Sequence, residues 1–433
     1  MRIAILGAGF TGLTAALRLT QQGHEVAVFE KESQVGGLAV GFSKPEWEWT
    51  LEKAYHHWFT SDDYALNLAK ELNYPVIVKQ PQTNVFVDNK SLPFDSPLSI
   101  LRFPYLPFVD RIRMGLAAFY MKLTPRYQKF EGQKALPWIR KYMGEKATKL
   151  VWEPLFTGKF GDYKDNIALT WFWSRIKKRT FKLAYPQGGF QSFADRLAQE
   201  IENLGGKILL NTEISGLTSG ENKISLTINH KPSTTHQFDK VIVTLPSPIF
   251  TKITSGLPHD YIQRISSIPH LHALNLILIL KKPFLGDIYW LNVTDTSFPF
   301  LVLAEHTNFM DSKYYGNHHI LYIGNYLPSD HPYLKMTATQ LLQIFDPFLK
   351  QINPTYHSSL ITSHLFLSLF AQPIVTADYP NLIPTMETPI KNVYLANMDM
   401  VYPWDRQTNY AMEMGEKVAR SAILSERSES KDL

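Results

Sequence analysis

The side chains with the clearest chemical potential are two adjacent histidines, His56 and His57, within Tyr-His-His-Trp. Imidazole titrates near neutral pH, so either ring could move a proton or pair with an anionic substrate. Neighbouring side chains on a strand diverge, and no third ligand is indicated, so no metal site is predicted. We predict that His57 is catalytic and that His56 and Trp58 contact the substrate. The alternative is that one imidazole packs in a domain interface and only the other reaches the site.

A second candidate segment is Tyr-Pro-Trp-Asp-Arg, which ends at Arg406 just before a predicted helix. A guanidinium at this position could bind a carboxylate or a phosphate of the substrate. We therefore predict that Arg406 is catalytic and that Tyr402 contacts the substrate. The alternative is an ion pair between Arg406 and Asp405 that only shapes the loop.

A third candidate is the basic run 175–182, in which five of eight residues are lysine or arginine. A charge run is often a solvated helix face. Two functional interpretations are also open: contact with an anionic membrane surface, or capture of a diphosphate on a lipid-linked or nucleotide-sugar substrate. We favour the membrane, since segment 98–127 is likewise apolar, aromatic and basic.

Length and composition limit the class of protein. A chain of 433 residues is long for one core, so two domains are expected. The net charge of +5 is modest and does not indicate a nucleic-acid partner, and the lack of cysteine excludes disulfides and thiol chemistry. No export leader is recognised, and no apolar run approaches the roughly 18 residues of a membrane-spanning helix. We expect a cytoplasmic protein.

The elements that would position these side chains begin at the N-terminus. A short apolar strand is predicted over 2–6, followed by Gly7-Ala8-Gly9-Phe10-Thr11-Gly12, a helix and a second strand that ends at Glu30. This spacing permits a tight turn, close approach of a pyrophosphate to the backbone and close packing of helix on strand. Glu30 is placed to bind an adenosine ribose. The pattern predicts a dinucleotide-binding unit, and by itself it fits both NAD and FAD.

A second glycine pair, Gly36-Gly37, follows Glu30 by a few residues. With it, segment 5–39 resembles the FAD-binding signature of the flavin-containing amine oxidase and protoporphyrinogen oxidase superfamily. Three later blocks are similar in the same order: the turn at 185–190, strands near 214 and 244–246, and a strand, turn and helix over 392–420. In that superfamily the last helix faces the flavin, but here Asn397-Met398 stands where Gly-Asp is usual. Asp399 is expected to take the acidic role one residue later.

The resemblance implies FAD as the cofactor and threads the histidine segment past the flavin ring, where Arg406 could also stabilise negative charge on the reduced ring. The residues expected to bind FAD are Gly7, Ala8, Gly9, Phe10, Thr11, Gly12, Glu30, Lys31, Gly36, Gly37, Leu38, Ala39, Ile214, Asp399, Thr408, Asn409, Tyr410 and Ala411.

The predicted fold class is α/β. A discontinuous Rossmann-type FAD-binding domain is expected from residues 1–80, 184–250 and 385–425. An α+β substrate domain, a mixed sheet with a helical insertion, is expected from 81–183 and 251–384. The segment 426–433 is polar and charged and is predicted to be disordered.

The resemblance implies an FAD-dependent oxidoreductase that takes a hydride from a C–H or C–N bond of a small, apolar or ring-bearing substrate. One alternative is a non-redox flavoenzyme similar to UDP-galactopyranose mutase. The other is a non-catalytic FAD-binding subunit.

Overall fold

The structure is a computed structural model that describes residues 1–220, 223–229 and 231–429, without the side chains of 231–235 and 425–429. The strands are β1 (Arg2–Leu6), β2 (Glu25–Phe29), β3 (Gly41–Phe42), β4 (Leu51–Glu52), β5 (Trp58–Phe59), β6 (Val76–Lys79), β7 (Gln82–Val87), β8 (Lys90–Pro93), β9 (Leu183–Pro186), β10 (Lys207–Leu209), β11 (Ile214–Ser219), β12 (Ile224–Ile228), β13 (Lys231–Phe238), β14 (Lys240–Val243), β15 (His270–Leu280), β16 (Ile288–Val293), β17 (Val302–Glu305), β18 (His319–Leu327), β19 (Leu360–Pro373) and β20 (Val393–Leu395).

The α-helices are α1 (Phe10–Gln21), α2 (Asp63–Glu71), α3 (Pro97–Leu101), α4 (Phe108–Leu123), α5 (Ala135–Met143), α6 (Glu145–Ala147), α7 (Glu153–Phe160), α8 (Leu169–Lys178), α9 (Phe190–Asn203), α10 (Ser247–Ile253), α11 (His259–Ser266), α12 (Ala338–Ile352) and α13 (Thr408–Glu429).

The first large sheet is parallel throughout, in the order β10-β2-β1-β14-β20. Its strands come from three widely separated stretches of the chain, and the apolar run of β1 lies at its centre, with Ile3, Ala4 and Ile5 fully buried. Helix α1 packs against α9 and α13, so most of its side chains are buried. This is the doubly wound arrangement typical of dinucleotide binding.

The second large sheet is mixed, in the order β19-β15-β18-β17-β16-β7-β8. Strand β15 is buried at ten of its eleven residues, because β18 and β19 flank it and the layers on either side cover both faces. Helices α4 to α8 pack around a separate hydrophobic core, to which Val85 and Val87 of β7 also contribute. The expected α/β class, with a mixed sheet and a helical insertion, is confirmed.

The C-terminal helix is longer than the sequence pattern indicates. The predicted disordered segment 426–433 overlaps α13 as far as Glu429, and residues 430–433 lie outside the described part of the chain. The domain boundaries remain predictions.

Candidate active site

The glycine-rich turn after β1 leaves an open helix N-terminus. Gly9 is the N-cap of α1, and no side chain caps it, so the amides of the first turn are free to meet an anion. A Cβ on Gly12 would lie 1.9 Å from the carbonyl oxygen of Gly7, so only glycine allows α1 to start this close to the turn.

The second glycine pair lies directly against the first turn. The Gly36 amide donates to the Ala8 carbonyl at 2.9 Å, and a Cβ on Gly37 would approach the Gly9 Cα to 2.9 Å. Leu38 follows with its side chain partly exposed. The pair that distinguishes the FAD signature therefore forms one surface with the GxGxxG turn.

Glu30 ends β2 beside this turn, almost fully buried. Its carboxylate accepts the Ala8 amide at 2.8 Å and the Glu32 amide at 3.0 Å. These bonds fix the carboxylate beside the turn, and its contact with an adenosine ribose stays a prediction. Lys31, also predicted to bind FAD, is exposed and pairs with Glu32.

The predicted contacts at the start of α13 are mostly buried. Thr408 Oγ1 accepts the Trp58 indole N–H at 2.7 Å, and Asn409 Oδ1 accepts the Ala65 amide at 3.1 Å. The Tyr410 ring stacks on Trp404. Ala411 is buried in the core that contains α1.

Two of the remaining residues predicted to bind FAD, Asp399 and Ile214, make contacts within the protein. Both carboxylate oxygens of Asp399 are engaged, one by the Ser247 hydroxyl and the other by His270 Nε2 at 2.7 Å. Ile214 begins β11 and is buried in the same hydrophobic core as Phe29. The open amides, the glycine contact and Glu30 nevertheless fit the diphosphate and ribose of a dinucleotide.

A cavity opens beside Leu38 and the histidine segment. Its lining residues are Leu38, Ala54, Tyr55, His56, Ala273, Asn275, Tyr326, Ser368, Ala371 and Arg406. It thus joins the end of the FAD-binding loop to the segment before α13 and to strands of the mixed sheet.

Arg406 and Tyr326 form the polar centre of this cavity. The Arg406 guanidinium donates to the Tyr326 hydroxyl, and its Nε donates to Gln372 at 3.0 Å. Burial alone would raise the pKa of Tyr326, but Arg406, Lys159 and a hydrogen bond from Tyr55 outweigh it and lower the pKa. Tyr326 is therefore a phenol whose ionised form is stabilised.

The alternative interpretation of Arg406 is an ion pair with Asp405 that only shapes the loop. Among the described residues, Asp405 pairs with other cations instead. Its carboxylate forms ion pairs with Arg175 at 3.0 Å and Lys159 at 3.9 Å and accepts the Trp171 indole N–H. Burial opposes ionisation, yet these cations keep the pKa of Asp405 well below its usual value. The Arg406 guanidinium instead lines the cavity and bonds Tyr326 and Gln372.

The two histidines point into different spaces. His56 lines the Arg406 cavity, and its Nδ1 bonds the Ala54 carbonyl at 2.7 Å. His57 lines a separate cleft, where its Nδ1 meets the Tyr289 hydroxyl at 3.1 Å. Burial lowers the pKa of His56 to about 4 and, together with Arg179 and Arg175, lowers that of His57 to about 3. The predicted catalytic pair, His57 and Arg406, is not brought together.

The other two predicted substrate contacts lie outside this cavity. Trp58 is fully buried in the core, so its side chain has no surface open to a substrate. Tyr402 is half-buried, and its ring packs edge-on against Tyr127.

Sequence reasoning missed Tyr326, Tyr55 and Lys159. Tyr326 lies one residue before the end of β18, far along the chain from the glycine motifs, and Lys159 lies in α7 without a motif around it. Tyr55 belongs to the histidine segment, and its position beside His56 is the one feature of the sequence that could have identified it.

A GxGxxG unit, a second glycine pair against it and a cavity with a polar centre beside both are typical of a dinucleotide-binding enzyme. Residues 10–423 match the family of flavin-containing amine oxidoreductases. The chain belongs to this family, so the expected class, an FAD-dependent oxidoreductase, is confirmed, and FAD is its cofactor.

Individual relatives are distant. The chain is 23% identical to coproporphyrinogen III oxidase from Staphylococcus aureus over 306 residues, which cover 61% of this chain and 65% of that protein. A 37-residue stretch is 62% identical to 4,4'-diapophytoene desaturase from Staphylococcus aureus and spans 8% of this chain and 7% of the desaturase. The chain therefore matches less than two thirds of the length of either relative.

Solved structures share the whole fold at low identity. A structure described as a protoporphyrinogen oxidase from Exiguobacterium superposes with a TM-score of 0.77 at 13% identity and covers 98% of this chain and 99% of that one. Reduced UDP-galactopyranose mutase gives 0.77 at 16% identity, over 96% of this chain and 94% of that one. These likenesses establish the fold.

Proposed function

We propose that this protein oxidises a C–C or C–N bond of a small, apolar or ring-bearing molecule by removing a hydride from a C–H group in the Arg406 cavity. The observation that carries the proposal is the Arg406–Tyr326 pair, which places an ionisable phenol in a mainly apolar pocket next to the FAD-binding loop. Bound FAD would supply the hydride acceptor.

The chain's own groups would orient the substrate and manage its proton. The small side chains Ala54, Ala273 and Ala371 leave room for an apolar body. Tyr326, whose ionised form Arg406 and Lys159 stabilise, would accept the proton that the substrate loses, so that hydride and proton leave separately. His56 would stay neutral near pH 7, because burial lowers its pKa to about 4.

The test is an anaerobic half-reaction. Coproporphyrinogen III and a primary amine are the first probes. The chain is similar in sequence to a coproporphyrinogen III oxidase, and it shares its fold with a putrescine oxidase. Loss of the oxidised flavin absorbance on mixing supports the proposal. Turnover by pre-reduced enzyme alone, without net oxidation of substrate, would favour the mutase alternative, and binding without any reaction would favour the non-catalytic one.

We also propose that the protein contacts an anionic membrane through α3 and α4. No described helix is long and apolar enough to cross a bilayer. Large apolar side chains that are more than half exposed nevertheless line the outer face of these helices: Leu98, Phe108, Val109, Leu116, Phe119 and Leu123. Two exposed cations, Arg102 and Arg126, lie at the end of α3 and just after α4, while the Lys122 ammonium is bound by carbonyls at the end of α8. An apolar stripe edged with cations suits the headgroup region of an anionic bilayer.

The basic run 175–182 supports this surface less directly than its sequence indicates. Arg175 points inward to Asp405, and Lys178 donates to the Ser61 carbonyl. Lys177 reaches back to the Lys122 carbonyl at the end of α4. The apolar face of α4, rather than the run itself, would make the principal contact.

A further inference from the structure

The cleft that contains His57 is distinct from the Arg406 cavity. It measures about 670 Å³ including solvent-open space, and no residue lines both. Tyr289 and Trp290 of β16 form its inner wall, and the end of α8 with the following loop forms its outer wall. The Trp290 ring packs edge-on against Tyr55 at 4.9 Å, so one aromatic layer separates the two spaces.

Among the described residues that line the cleft, one guanidinium has no ion-pair partner. Arg175 and Arg179 line it, and Asp95 is its one lining carboxylate. Arg175 is already paired with Asp405, whereas no carboxylate of the described residues forms an ion pair with Arg179. Arg179 is exposed to the cleft and to solvent. Asp95 acts on Arg179 through their charges but forms no ion pair with it among the described residues. The Arg179 guanidinium therefore keeps its hydrogen-bond donors for a ligand.

The remaining walls combine apolar and aromatic side chains with four polar ones, Gln80, Thr83, Thr180 and Asn292. Phe59, Pro81, Phe181 and Leu183 line the same cleft as the guanidinium, and Phe181 is more than half exposed. Leu98, on the proposed membrane face, follows Asp95 of the cleft by three residues. A ligand that satisfies both parts of this cleft has an apolar body and one terminal oxyanion.

We propose that the Arg179 cleft is a binding site for an amphiphilic oxyanion, a carboxylate or a phosphate ester with an apolar tail. The guanidinium forms paired hydrogen bonds to the oxyanion, and the tail lies against Phe181 and Leu183 toward the rim. The site does not depend on the oxidation proposed above, since the two cavities share no lining residue.

Calorimetric titration of the FAD-loaded protein tests the proposal with hexanoate, hexyl phosphate and hexanol. Both anions should bind, hexanol should bind at least about tenfold more weakly, and Arg179→Gln should weaken the anions by about tenfold or more. Lys182→Gln is the matched control, because it removes the same charge three residues away without lining the cleft. The ratio of hexanoate to hexyl phosphate affinity identifies which oxyanion the site prefers.

Equal binding of hexanol and the anions, or unchanged anion binding in Arg179→Gln, would overturn the proposal. An equal loss in Lys182→Gln would also overturn it, since it would reduce the effect to general surface charge. Arg179 is exposed, so the variant should fold. Because the measurement needs no turnover, failure of the redox proposal leaves its result unaffected.

Discussion

At the scale of single residues, the cavity depends on a phenol held between cations. Arg406 donates to Tyr326, and Lys159 lies 4.9 Å from the centre of the same ring. Lys159 is itself buried, which lowers its pKa, but Asp405 opposes that shift. Substitution of these charged residues should therefore change the pKa of Tyr326.

Tyr326→Phe should retain FAD and slow flavin reduction by about 100-fold, the usual scale for a lost acid–base group. In the wild type, the rate should rise with pH as Tyr326 ionises at a pKa below the ordinary value of 10, and this limb should vanish in the variant. Stopped-flow reduction across a pH series measures both. Tyr142→Phe, at an exposed tyrosine on α5, is the control, and a wild-type pH profile in Tyr326→Phe would refute the assignment.

Arg406→Ala should also leave FAD bound and slow flavin reduction by about 100-fold, because it removes the cation that stabilises the phenolate. Its pH limb should move to higher pH rather than disappear, since Tyr326 remains but its pKa rises. His57→Ala is the comparison, because His57 lines the cleft on the other side of the Tyr55–Trp290 contact. The sequence-based prediction is that this variant also slows flavin reduction by a similar factor. If only Arg406→Ala is slow, the chemistry belongs to the Arg406 cavity alone.

At the scale of elements, α1 and the second glycine pair act as one unit. Gly9 pairs with Gly36 in a backbone bridge, and a Cβ on Gly37 would collide with the Gly9 Cα, whereas a Cβ on Gly9 would meet the Gly37 Cα at an ordinary 3.7 Å. Any side chain or charge on Gly9 would fill the approach to the α1 amides.

Gly9→Asp should therefore abolish FAD binding while the protein still folds. The carboxylate would occupy the diphosphate position and repel its charge. Flavin content after purification and far-UV circular dichroism measure the two outcomes. Gln22→Asp, at the exposed opposite end of α1, should remain yellow, and full flavin content in Gly9→Asp would contradict the cofactor site.

Glu52 connects several elements through one buried carboxylate. It accepts the Tyr185 hydroxyl from β9 and the Phe190 amide at the start of α9, while Tyr322 of β18 donates to its carbonyl. Burial raises its pKa from 4.5 to about 7, although the hydrogen bonds oppose the shift.

A carboxyl with a raised pKa contributes most stability below its unfolded pKa, and that contribution is lost as pH rises through the folded value. The free energy of unfolding of wild type relative to Glu52→Gln should therefore fall between pH 4.5 and about 7, by up to about 3 kcal/mol. Denaturant titrations of both proteins across this range provide the test. A difference that is independent of pH across this range would show that folding does not raise the pKa of Glu52.

At the scale of the whole molecule, one face is unlike the rest. The apolar stripe of α3 and α4 lies on the outside of the helical insertion, while the inner side of α4 packs on α5 and α8. Its large exposed side chains gain nothing from water, so contact with a bilayer would remove them from it.

The double variant Leu116→Glu/Phe119→Glu should lose co-sedimentation with anionic vesicles, since each added carboxylate opposes insertion and the surface charge. Wild type should bind anionic vesicles better than neutral ones and release at high salt, because neighbouring cations contribute about 1 kcal/mol each. Leu369→Glu on β19 is the control at an equally exposed apolar position. Absence of wild-type binding to either vesicle would exclude the proposed contact.

The sequence by itself determined the βαβ start, its glycines and Glu30, because a tight turn, helix periodicity and the end of a strand are properties of adjacent residues. It also determined the fold class and cofactor, since the motif blocks occur in order along the chain. Only the tertiary structure decided that His56 and His57 face different cavities, because neighbouring side chains on an extended segment diverge. It alone placed Tyr326 against Arg406, a contact across 80 residues that forms only when β18 and the segment before α13 meet over the same cavity.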